Sequence, residues 1–216
     1  MRLSALFWQL FSAILENASV STAAKSDPMK DFQNIIAEAA EILRRPGAVI
    51  LVPTETVYGL VCRAADEAAC RRIFELKQRP FSKVLGWFVS GIPMLEQCNV
   101  VVNDCAADLI SRYTPGALTL ISETTDGGTQ GYRIPDHPLL SGIVDKLDEP
   151  LAQTSANASG LPDARSCQEA LAQLAGSVDF FVDGGTIPEE IKASTVVDTT
   201  VCPAKILRQG CIILEI

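Results

Sequence analysis

The sequence predicts a single α/β domain built on a mixed β-sheet. Apolar runs of strand length alternate with segments of helical periodicity, which is the pattern of a sheet flanked by helices. A length of 216 residues is enough for one domain with a substantial core, and 48% hydrophobic and 20% charged residues are typical of a globular protein. The chain contains neither an internal repeat nor a linker that would divide it.

The helices are predicted from apolar stripes and capping residues. The first, 31–45, carries an apolar face at helical spacing and ends at Pro46-Gly47. Ser166 and Glu169 form a capping box for the last one. The predicted helices are 31–45, 66–76, 103–113, 139–147 and 166–174.

Short apolar or β-branched runs between these helices are predicted to be strands. Pro80 forces a turn after the second helix, because proline disfavours the helical conformation at the residue before it. Gly127-Gly128 marks a loop before Tyr132. The predicted strands are 48–52, 57–62, 84–89, 117–122, 151–154, 178–182, 195–198 and 205–210.

Charge, cysteine usage and histidine usage argue against several kinds of site. A formal net charge of -8 argues against broad, nonspecific binding of nucleic acid, although it leaves room for a small basic pocket. Seven cysteines without a C-x-x-C pair suggest neither a disulfide framework nor a zinc site, and we favour buried thiols in a reducing cytosol. His137 is the single histidine, so we expect neither a His-based triad nor a multi-histidine metal site.

Residues 1–28 differ from the rest of the chain. Arg2 precedes an apolar stretch that polar residues interrupt, and a run of small residues follows it. The segment resembles a poor signal peptide and is too short and too polar for a membrane span. We favour a non-native upstream start, with 29–216 as the domain, because everything after Met29 is typical of a cytosolic protein. We therefore expect cytoplasmic localisation without membrane contact.

The segment Pro53-Thr54-Glu55-Thr56-Val57-Tyr58-Gly59-Leu60 follows the first predicted strand. If it stays extended, Thr54, Thr56 and Tyr58 share one face, because side chains alternate along a strand. Such a row of hydroxyls is either a polar shelf at a binding site or a threonine-rich strand face exposed to water. The segment alone favours the exposed face.

Lys77 and Arg79 lie two residues apart at a predicted helix exit, directly before Pro80. Two solvated cations are one interpretation of this pair. A lysine beside an arginine also offers a point charge and a bidentate fork, the combination that neutralises phosphate oxygens. The sequence contains neither G-x-G-x-x-G nor a Walker motif, so a nucleotide site here must be built from scattered side chains.

Ser155, Asn157 and Arg133 are further candidates. With strand alternation the Ser155 hydroxyl and the Asn157 amide point the same way, so they either bind a ligand or cap the next turn. Arg133 follows Tyr132 on a predicted strand edge, where it faces either solvent or a ligand.

A series of motifs appears in chain order between about residues 32 and 210 and resembles the YrdC-like family, the threonylcarbamoyl-AMP synthases, in its short bacterial (TsaC-type) form. The motifs are Pro-Thr-Glu-Thr-Val-Tyr-Gly-Leu at 53–60, Lys-x-Arg-Pro at 77–80, Pro-Gly-Ala-x-Thr at 115–119, Arg-x-Pro-x-His-Pro at 133–138, Ser-x-Asn at 155–157, Ser-Thr-Val-Val-Asp at 194–198 and Leu-Arg-x-Gly at 207–210. Three departures stand out: Ala117 replaces a proline, Tyr132 replaces a valine, and 83–88 lacks the Pro-Leu and histidine of long members.

The resemblance implies a twisted mixed sheet around a concave basic cavity. It also implies an enzyme that joins L-threonine, bicarbonate and ATP and releases pyrophosphate, with Mg²⁺ accompanying the triphosphate on ligands that we do not assign. The product would pass to tRNA threonylcarbamoyl-transfer enzymes, with a weak tRNA contact at most. By resemblance the catalytic residues are Lys77 and Arg79, the ATP contacts are Lys77, Arg79, Thr119, Ser155, Asn157 and Arg208, and the threonine contacts are Thr54, Thr56, Tyr58, Arg133 and Ser194.

Two alternatives stay open. One is an RNA-binding module that uses the same basic cavity without catalysis, which the acidic charge balance weighs against. The other is a carbamoyl-transfer relative that adenylates carbamate from another donor.

Overall fold

The computed structural model describes residues 28–81 and 83–215. The helices are α1 (Pro28–Leu43), α2 (Glu67–Leu76), α3 (Ile92–Gln97), α4 (Asp104–Tyr113), α5 (Pro138–Leu147) and α6 (Cys167–Gln173). The strands are β1 (Ile50–Val52), β2 (Gly59–Arg63), β3 (Gly86–Phe88), β4 (Leu118–Glu123), β5 (Thr129–Arg133), β6 (Leu151–Ser155), β7 (Phe180–Phe181), β8 (Thr195–Asp198) and β9 (Lys205–Arg208). The interpretation of 1–28 as an extension lies outside the described residues, apart from Pro28 at the start of α1, and stays a prediction.

The strands pair into one mixed sheet. In the described part of the chain it has nine strands in the order β7-β1-β2-β6-β3-β5-β4-β8-β9. Neighbours are antiparallel except for β7–β1, β3–β5 and β4–β8, which are parallel. Strand β6 lies between β2 and β3, so the residues that follow it reach the middle of the sheet. The predicted α/β class, with a mixed sheet flanked by helices, is confirmed.

Helices cover both faces of the sheet near β1. Ile50 and Val52 pack in one apolar cluster with α1 and α5, whereas Leu51 packs in a second cluster with α2 and α6. Helix α5 approaches α1 closely at Gly142, where a Cβ would lie 2.7 Å from Ile36 Cδ1. Helix α4 joins the first cluster at the other end of the sheet. These contacts hold the sheet as a rigid frame for the cavity described below.

Local capping explains several helix starts. The side chains of Asp66, Asn103 and Ser166 each accept a hydrogen bond from the third residue after them, at the starts of α2, α4 and α6. The capping residues predicted from the sequence therefore take up that role. None of the helices in the described ranges is long and apolar enough to span a bilayer.

Several elements differ from their predictions. The strand predicted over 84–89 is confined to β3, because Val84 turns outward with 66% exposure and its carbonyl accepts a hydrogen bond from Arg79 at 3.3 Å. Helix α3 was not predicted, because Gly91 and Pro93 are residue types that are common in loops. Proline is nevertheless favoured in the first turn of a helix, where Pro93 lies. The strand predicted over 178–182 shortens to β7.

Candidate active site

One face of the sheet forms a cavity of about 520 Å³. On most strands alternate residues line it, as period-two geometry requires, and the register places them side by side on that face. At the end of β6, three consecutive residues reach the cavity. The strand residues that line the cavity are Gly59, Gly86, Phe88, Thr119, Ile121, Thr129, Gly131, Arg133, Gln153, Thr154, Ser155, Val196 and Arg208. The wall is completed by residues outside the strands: Thr54, Thr56, Val57, Tyr58, Arg79, Val84, Leu85, Asp163, Ala193 and Ser194.

The floor of the cavity is deep because glycines occupy it. Gly86 pairs with Gln153 across β3 and β6, and Gly131 lies on the next strand, β5. A Cβ on Gly86 would lie 2.7 Å from Nε2 of Gln153, so the glutamine amide occupies that space. Gln153 was not predicted as a site residue, although its position two residues before Ser155 on a strand places it on the same face.

The hydroxyl segment bends instead of staying extended, so the prediction of a shared strand face is wrong. The Thr54 hydroxyl accepts hydrogen bonds from the backbone N–H groups of Thr56 at 3.0 Å and Val57 at 3.1 Å, and donates to the Val57 carbonyl at 2.7 Å. A threonine that bonds to its own backbone in this way stabilises a turn. Thr54 and Thr56 are also buried, at 4% and 2% exposure, which contradicts the water-exposed alternative.

Tyr58 separates from the two threonines. Its ring is fully buried in the second apolar cluster. Its hydroxyl donates to the Gly185 carbonyl at 2.8 Å and accepts from the Gly184 N–H at 2.9 Å. Burial raises the pKa of Tyr58, so the phenol stays protonated. Tyr58 still lines the cavity, but its polar group ties the loop to residues 184–185. Its predicted contact with threonine stays a prediction.

Arg133 is held from several sides. Its Nε donates to the Gly116 carbonyl at 3.0 Å and one terminal nitrogen donates to Thr56 Oγ1 at 3.0 Å. The other terminal nitrogen lies 2.7 Å from a carboxylate oxygen of Glu55. Its guanidinium carbon is 6.0 Å from the ring centroid of Phe88. Arg133 is 5% exposed and borders the cavity.

Thr119, Ser194 and Arg208 meet at the β4, β8 and β9 side of the cavity. The Thr119 and Ser194 hydroxyls are 2.8 Å apart. Arg208 donates to the Ser194 carbonyl at 2.9 Å and to its hydroxyl at 3.1 Å. Ser194, which is predicted to bind the substrate L-threonine, therefore contacts Thr119 and Arg208, which are predicted to bind ATP. The two predicted binding regions are adjacent at this point.

Lys77 and Arg79 diverge at a turn that the sequence places after α2. Gln78 adopts a left-handed conformation with φ of 50°, which separates the two cations. Arg79 lines the cavity and donates to Thr154 Oγ1 at 2.9 Å. Lys77 is buried just behind the wall, where its ammonium donates to the carbonyls of Ser155 and Asn157. The predicted pair is therefore not two solvated cations.

Burial dominates the electrostatics of these cations. It lowers the pKa of Lys77 to about 8, with a further contribution from the positive charge of Arg79, while Asp163 acts in the opposite direction. Burial also lowers the pKa of Arg79. Asp163 lies in the cavity wall and was not predicted, because an isolated aspartate in a loop carries no recognisable spacing.

Ser155 and Asn157 contact one another, although Asn157 lies beyond the end of β6 and outside the cavity lining. The Ser155 hydroxyl donates to Asn157 Oδ1 at 2.5 Å, and the Asn157 amide donates to the Leu161 carbonyl at 2.6 Å. Ser155 lines the cavity, whereas Asn157 lies behind it beside Lys77. Asn157 thus holds the next turn in place, and Ser155 presents the face that a ligand would meet.

Comparison with known proteins agrees with the motifs. The Sua5/YciO/YrdC family model, described as telomere recombination, matches residues 41–210. A threonylcarbamoyl-AMP synthase of Pyrococcus abyssi is 34% identical over 180 residues, which cover 79% of this chain and 53% of the relative. A putative threonylcarbamoyl-AMP synthase of Mycobacterium tuberculosis is 30% identical over 200 residues, which cover 88% of this chain and 90% of the relative.

A solved structure has the same fold. Pyrococcus abyssi Sua5 complexed with L-threonine matches with a TM-score of 0.74 and 32% identity, over 82% of this chain and 54% of that chain. The chain therefore spans about half the length of both Pyrococcus relatives, and nearly the whole length of the Mycobacterium one. The family model covers most of the sequence, and the cavity is lined by the family's motifs. This chain belongs to the Sua5/YciO/YrdC family.

Proposed function

We propose that this protein is an L-threonylcarbamoyladenylate synthase. It would join L-threonine, bicarbonate and ATP into threonylcarbamoyl-AMP and release pyrophosphate. The observation that carries the proposal is the convergence of the motif residues on one cavity. Nine of the eleven site residues predicted from the sequence line it, and the other two, Lys77 and Asn157, bond to its wall. Both relatives are named as threonylcarbamoyl-AMP synthases, which supports the same activity.

The chemistry matches these residue types. The threonine amine and bicarbonate first form a carbamate with loss of water, and a carbamate oxygen then attacks the α-phosphate of ATP as pyrophosphate leaves. Attack of one anion on another requires neutralisation and alignment more than a strong base. Arg79 and Arg208 border the cavity, and Lys77 adds a third positive charge behind its wall. These cations would stabilise the charge that develops on the phosphate oxygens.

The amino acid would bind at the opposite side of the cavity. Arg133 offers a guanidinium to the threonine carboxylate. The Thr56 hydroxyl, which bonds to Arg133, and the Ser194 hydroxyl, which lines the same cavity, can bond to the amino acid. Thr119 lies 2.8 Å from Ser194, so the two substrates would meet near this pair. The carbamate oxygen would then face the triphosphate held by Arg79 and Ser155.

Mg²⁺ would enter with ATP as part of the substrate. Among the residues described, no cluster of three or more His, Cys, Asp or Glu side chains suits a metal ion. Asp163 is the carboxylate that lines the cavity. Because Mg²⁺ commonly binds through one or two carboxylates together with substrate phosphates, Asp163 and the triphosphate form a plausible set of ligands.

The product would pass to the enzymes that transfer threonylcarbamoyl groups to tRNA in the cytoplasm. A carbamoyl adenylate is a mixed anhydride and hydrolyses readily, so prompt transfer to an acceptor enzyme suits its chemistry. The net charge of -8 favours a weak tRNA contact at most.

The test is pyrophosphate release by the full chain with MgATP, in reactions that omit L-threonine or bicarbonate in turn. Release that needs both substrates is expected. A folded protein that binds ATP without releasing pyrophosphate would contradict the proposal, and RNA binding that weakens steeply with salt would then favour the RNA-binding alternative. Release with carbamoyl phosphate in place of L-threonine and bicarbonate would instead indicate the carbamoyl-transfer relative.

A further inference from the structure

Glu55 is a buried carboxylate that the proposed mechanism does not use. It belongs to the bent segment after β1, and its side chain is 9% exposed. Buried carboxylates are rare unless they are paired. Glu55 is paired with Arg133 at 2.7 Å, and it lies behind that arginine, since Arg133 lines the cavity and Glu55 is not among the lining residues.

The Glu55 carboxylate joins two segments that flank the cavity. The oxygen that faces Arg133 also accepts a hydrogen bond from the backbone N–H of Asp136 at 2.8 Å. Asp136 follows β5, the strand that ends at Arg133. The segment after β1 and the segment after β5 are therefore fixed to one another through a single carboxylate.

The remaining polar atoms of this group are incompletely bonded. Within the described residues, one Glu55 oxygen, the Arg133 nitrogen nearest to Glu55 and both ring nitrogens of His137 have no aligned hydrogen-bond partner. This Arg133 nitrogen therefore forms an ion pair with Glu55 but no well-aligned hydrogen bond. Because that nitrogen is itself buried against Glu55, the carboxylate holds the guanidinium from the side away from the cavity.

His137 does not compete for the Glu55 carboxylate. Burial lowers the pKa of His137 to about 4, so the ring is uncharged at neutral pH. Asp136 is the other acidic group near the pair, and burial raises the pKa of its carboxyl. Arg133 is therefore the cation that Glu55 faces at neutral pH.

We propose that Glu55 is a positioning residue that orients the Arg133 guanidinium towards the cavity and thereby sets the affinity for the amino-acid substrate. This inference rests on the proposed function, because it assigns the carboxylate of L-threonine to Arg133. Glu55 acts through Arg133 and does not touch the substrate. Groups held by packed and bonded neighbours keep the geometry that binding requires, and their loss weakens binding selectively.

The test compares three variants of the full chain. Glu55→Gln keeps the shape and the acceptor for Asp136 but removes the charge. Glu55→Asp keeps the charge on a shorter side chain. Glu149→Gln is the matched control, because Glu149 pairs with Arg63 and neither residue lines the cavity. Thermal unfolding identifies the folded variants, and titration calorimetry gives the dissociation constants for L-threonine and for ATP.

We expect Glu55→Gln to weaken L-threonine binding by about tenfold or more while ATP binding changes by less than about twofold. Glu55→Asp should recover part of the loss, and Glu149→Gln should leave both affinities unchanged. Unchanged threonine affinity in folded Glu55→Gln, or equal losses for both ligands, would overturn the positioning role alone. A wild-type chain that binds no L-threonine would overturn the proposed function and this assignment together.

Discussion

The cations at the two ends of the cavity differ in whether a carboxylate is paired with them. At the Lys77 end (Lys77, Arg79, Ser155 and Asn157), the cations bond to carbonyls and to the Thr154 hydroxyl, and neither is within ion-pair distance of a carboxylate in the described chain. At the Arg133 end (Glu55, Thr56 and Arg133), the arginine faces a buried carboxylate at 2.7 Å. One end therefore has a surplus of positive charge, and the other is balanced.

This difference matches the proposed substrates. A triphosphate is a polyanion, and a pair of cations that no carboxylate contacts directly attracts it most strongly. Threonine is a zwitterion with no net charge, and a balanced site can bind it without attracting phosphate to the wrong place. The contrast explains how a cavity on a protein of net charge -8 can bind two dissimilar ligands in separate places.

The largest expected effect comes from removing a cation at the Lys77 end. Lys77→Ala and Arg79→Ala should each lower the rate of pyrophosphate release by about a hundredfold or more, equivalent to about 3 kcal/mol of transition-state stabilisation. Arg71→Ala is the control, because Arg71 lies on the exposed side of α2 and pairs with Glu67 at 3.3 Å. Near wild-type rates in folded Lys77→Ala or Arg79→Ala would remove that pair from the mechanism.

A smaller and more selective effect is expected at the Arg133 end. Arg133→Lys keeps the charge but loses the planar fork, so the KM for L-threonine should rise by about tenfold. The KM for ATP should stay close to that of the wild type, because Arg133 belongs to the balanced end. Steady-state kinetics with each substrate varied in turn separates the two values. An equal rise in both would mean that the two ends do not bind different ligands.

The pH dependence of pyrophosphate release shows whether the reaction needs the positive charge of Lys77 or only the bulk of its side chain. The pKa of Lys77 is lowered from 10.5 to about 8, so the ammonium loses its proton as the pH rises through that value. If the reaction needs the charge, pyrophosphate release should fall by about tenfold per pH unit above pH 8. Lys77→Arg stays protonated and should lose this fall, whatever its maximal rate. A wild-type rate that is flat to pH 10 would contradict the role of the charge.

The lowered pKa of Lys77 affects folding stability in the opposite direction from activity: stability rises with pH where activity is expected to fall. Between about pH 8 and 10.5 the unfolded chain binds more protons at Lys77 than the folded chain does, so the Lys77 contribution to the free energy of unfolding increases with pH in this window. Denaturant unfolding at two pH values, with Lys77→Arg as reference, would measure it.

The smallest effect on substrate binding is expected from a substitution at Gly86, in the floor of the cavity between the two ends. Gly86→Ala places a methyl group where the Gln153 amide lies, 2.7 Å away, so the glutamine must move into the cavity. Both KM values should rise by a few-fold, in contrast to the selective change in Arg133→Lys. The double variant Gly86→Ala with Gln153→Ala should regain most of the loss. A loss for one substrate alone would assign the floor to that end.

Local signals in the sequence predict the frame and most of the site. Apolar periodicity and the caps Asp66, Asn103 and Ser166 predict α2, α4 and α6, because these signals act within a few residues. The proposed site residues come from the resemblance of the motifs to the family, and nine of the eleven line the cavity.

The remaining features depend on contacts between distant residues. The pairing of Glu55 with Arg133 joins residues that are far apart in the chain, and no local pattern encodes it. The bend at Thr54 was missed because a side chain that bonds to its own backbone overrides strand alternation. The position of Lys77 behind the wall follows from where β6 enters the sheet, between β2 and β3.

The most direct test of the central claim is to identify the product. The full chain would be incubated with MgATP, L-threonine and ¹³C-bicarbonate, and the mixture analysed by mass spectrometry alongside Lys77→Ala and Arg133→Lys. We expect an adenylate that contains threonine and one labelled carbon, formed in equal amount with pyrophosphate and much reduced in Lys77→Ala. Pyrophosphate or AMP that forms without threonine, or an adenylate without the labelled carbon, would contradict it.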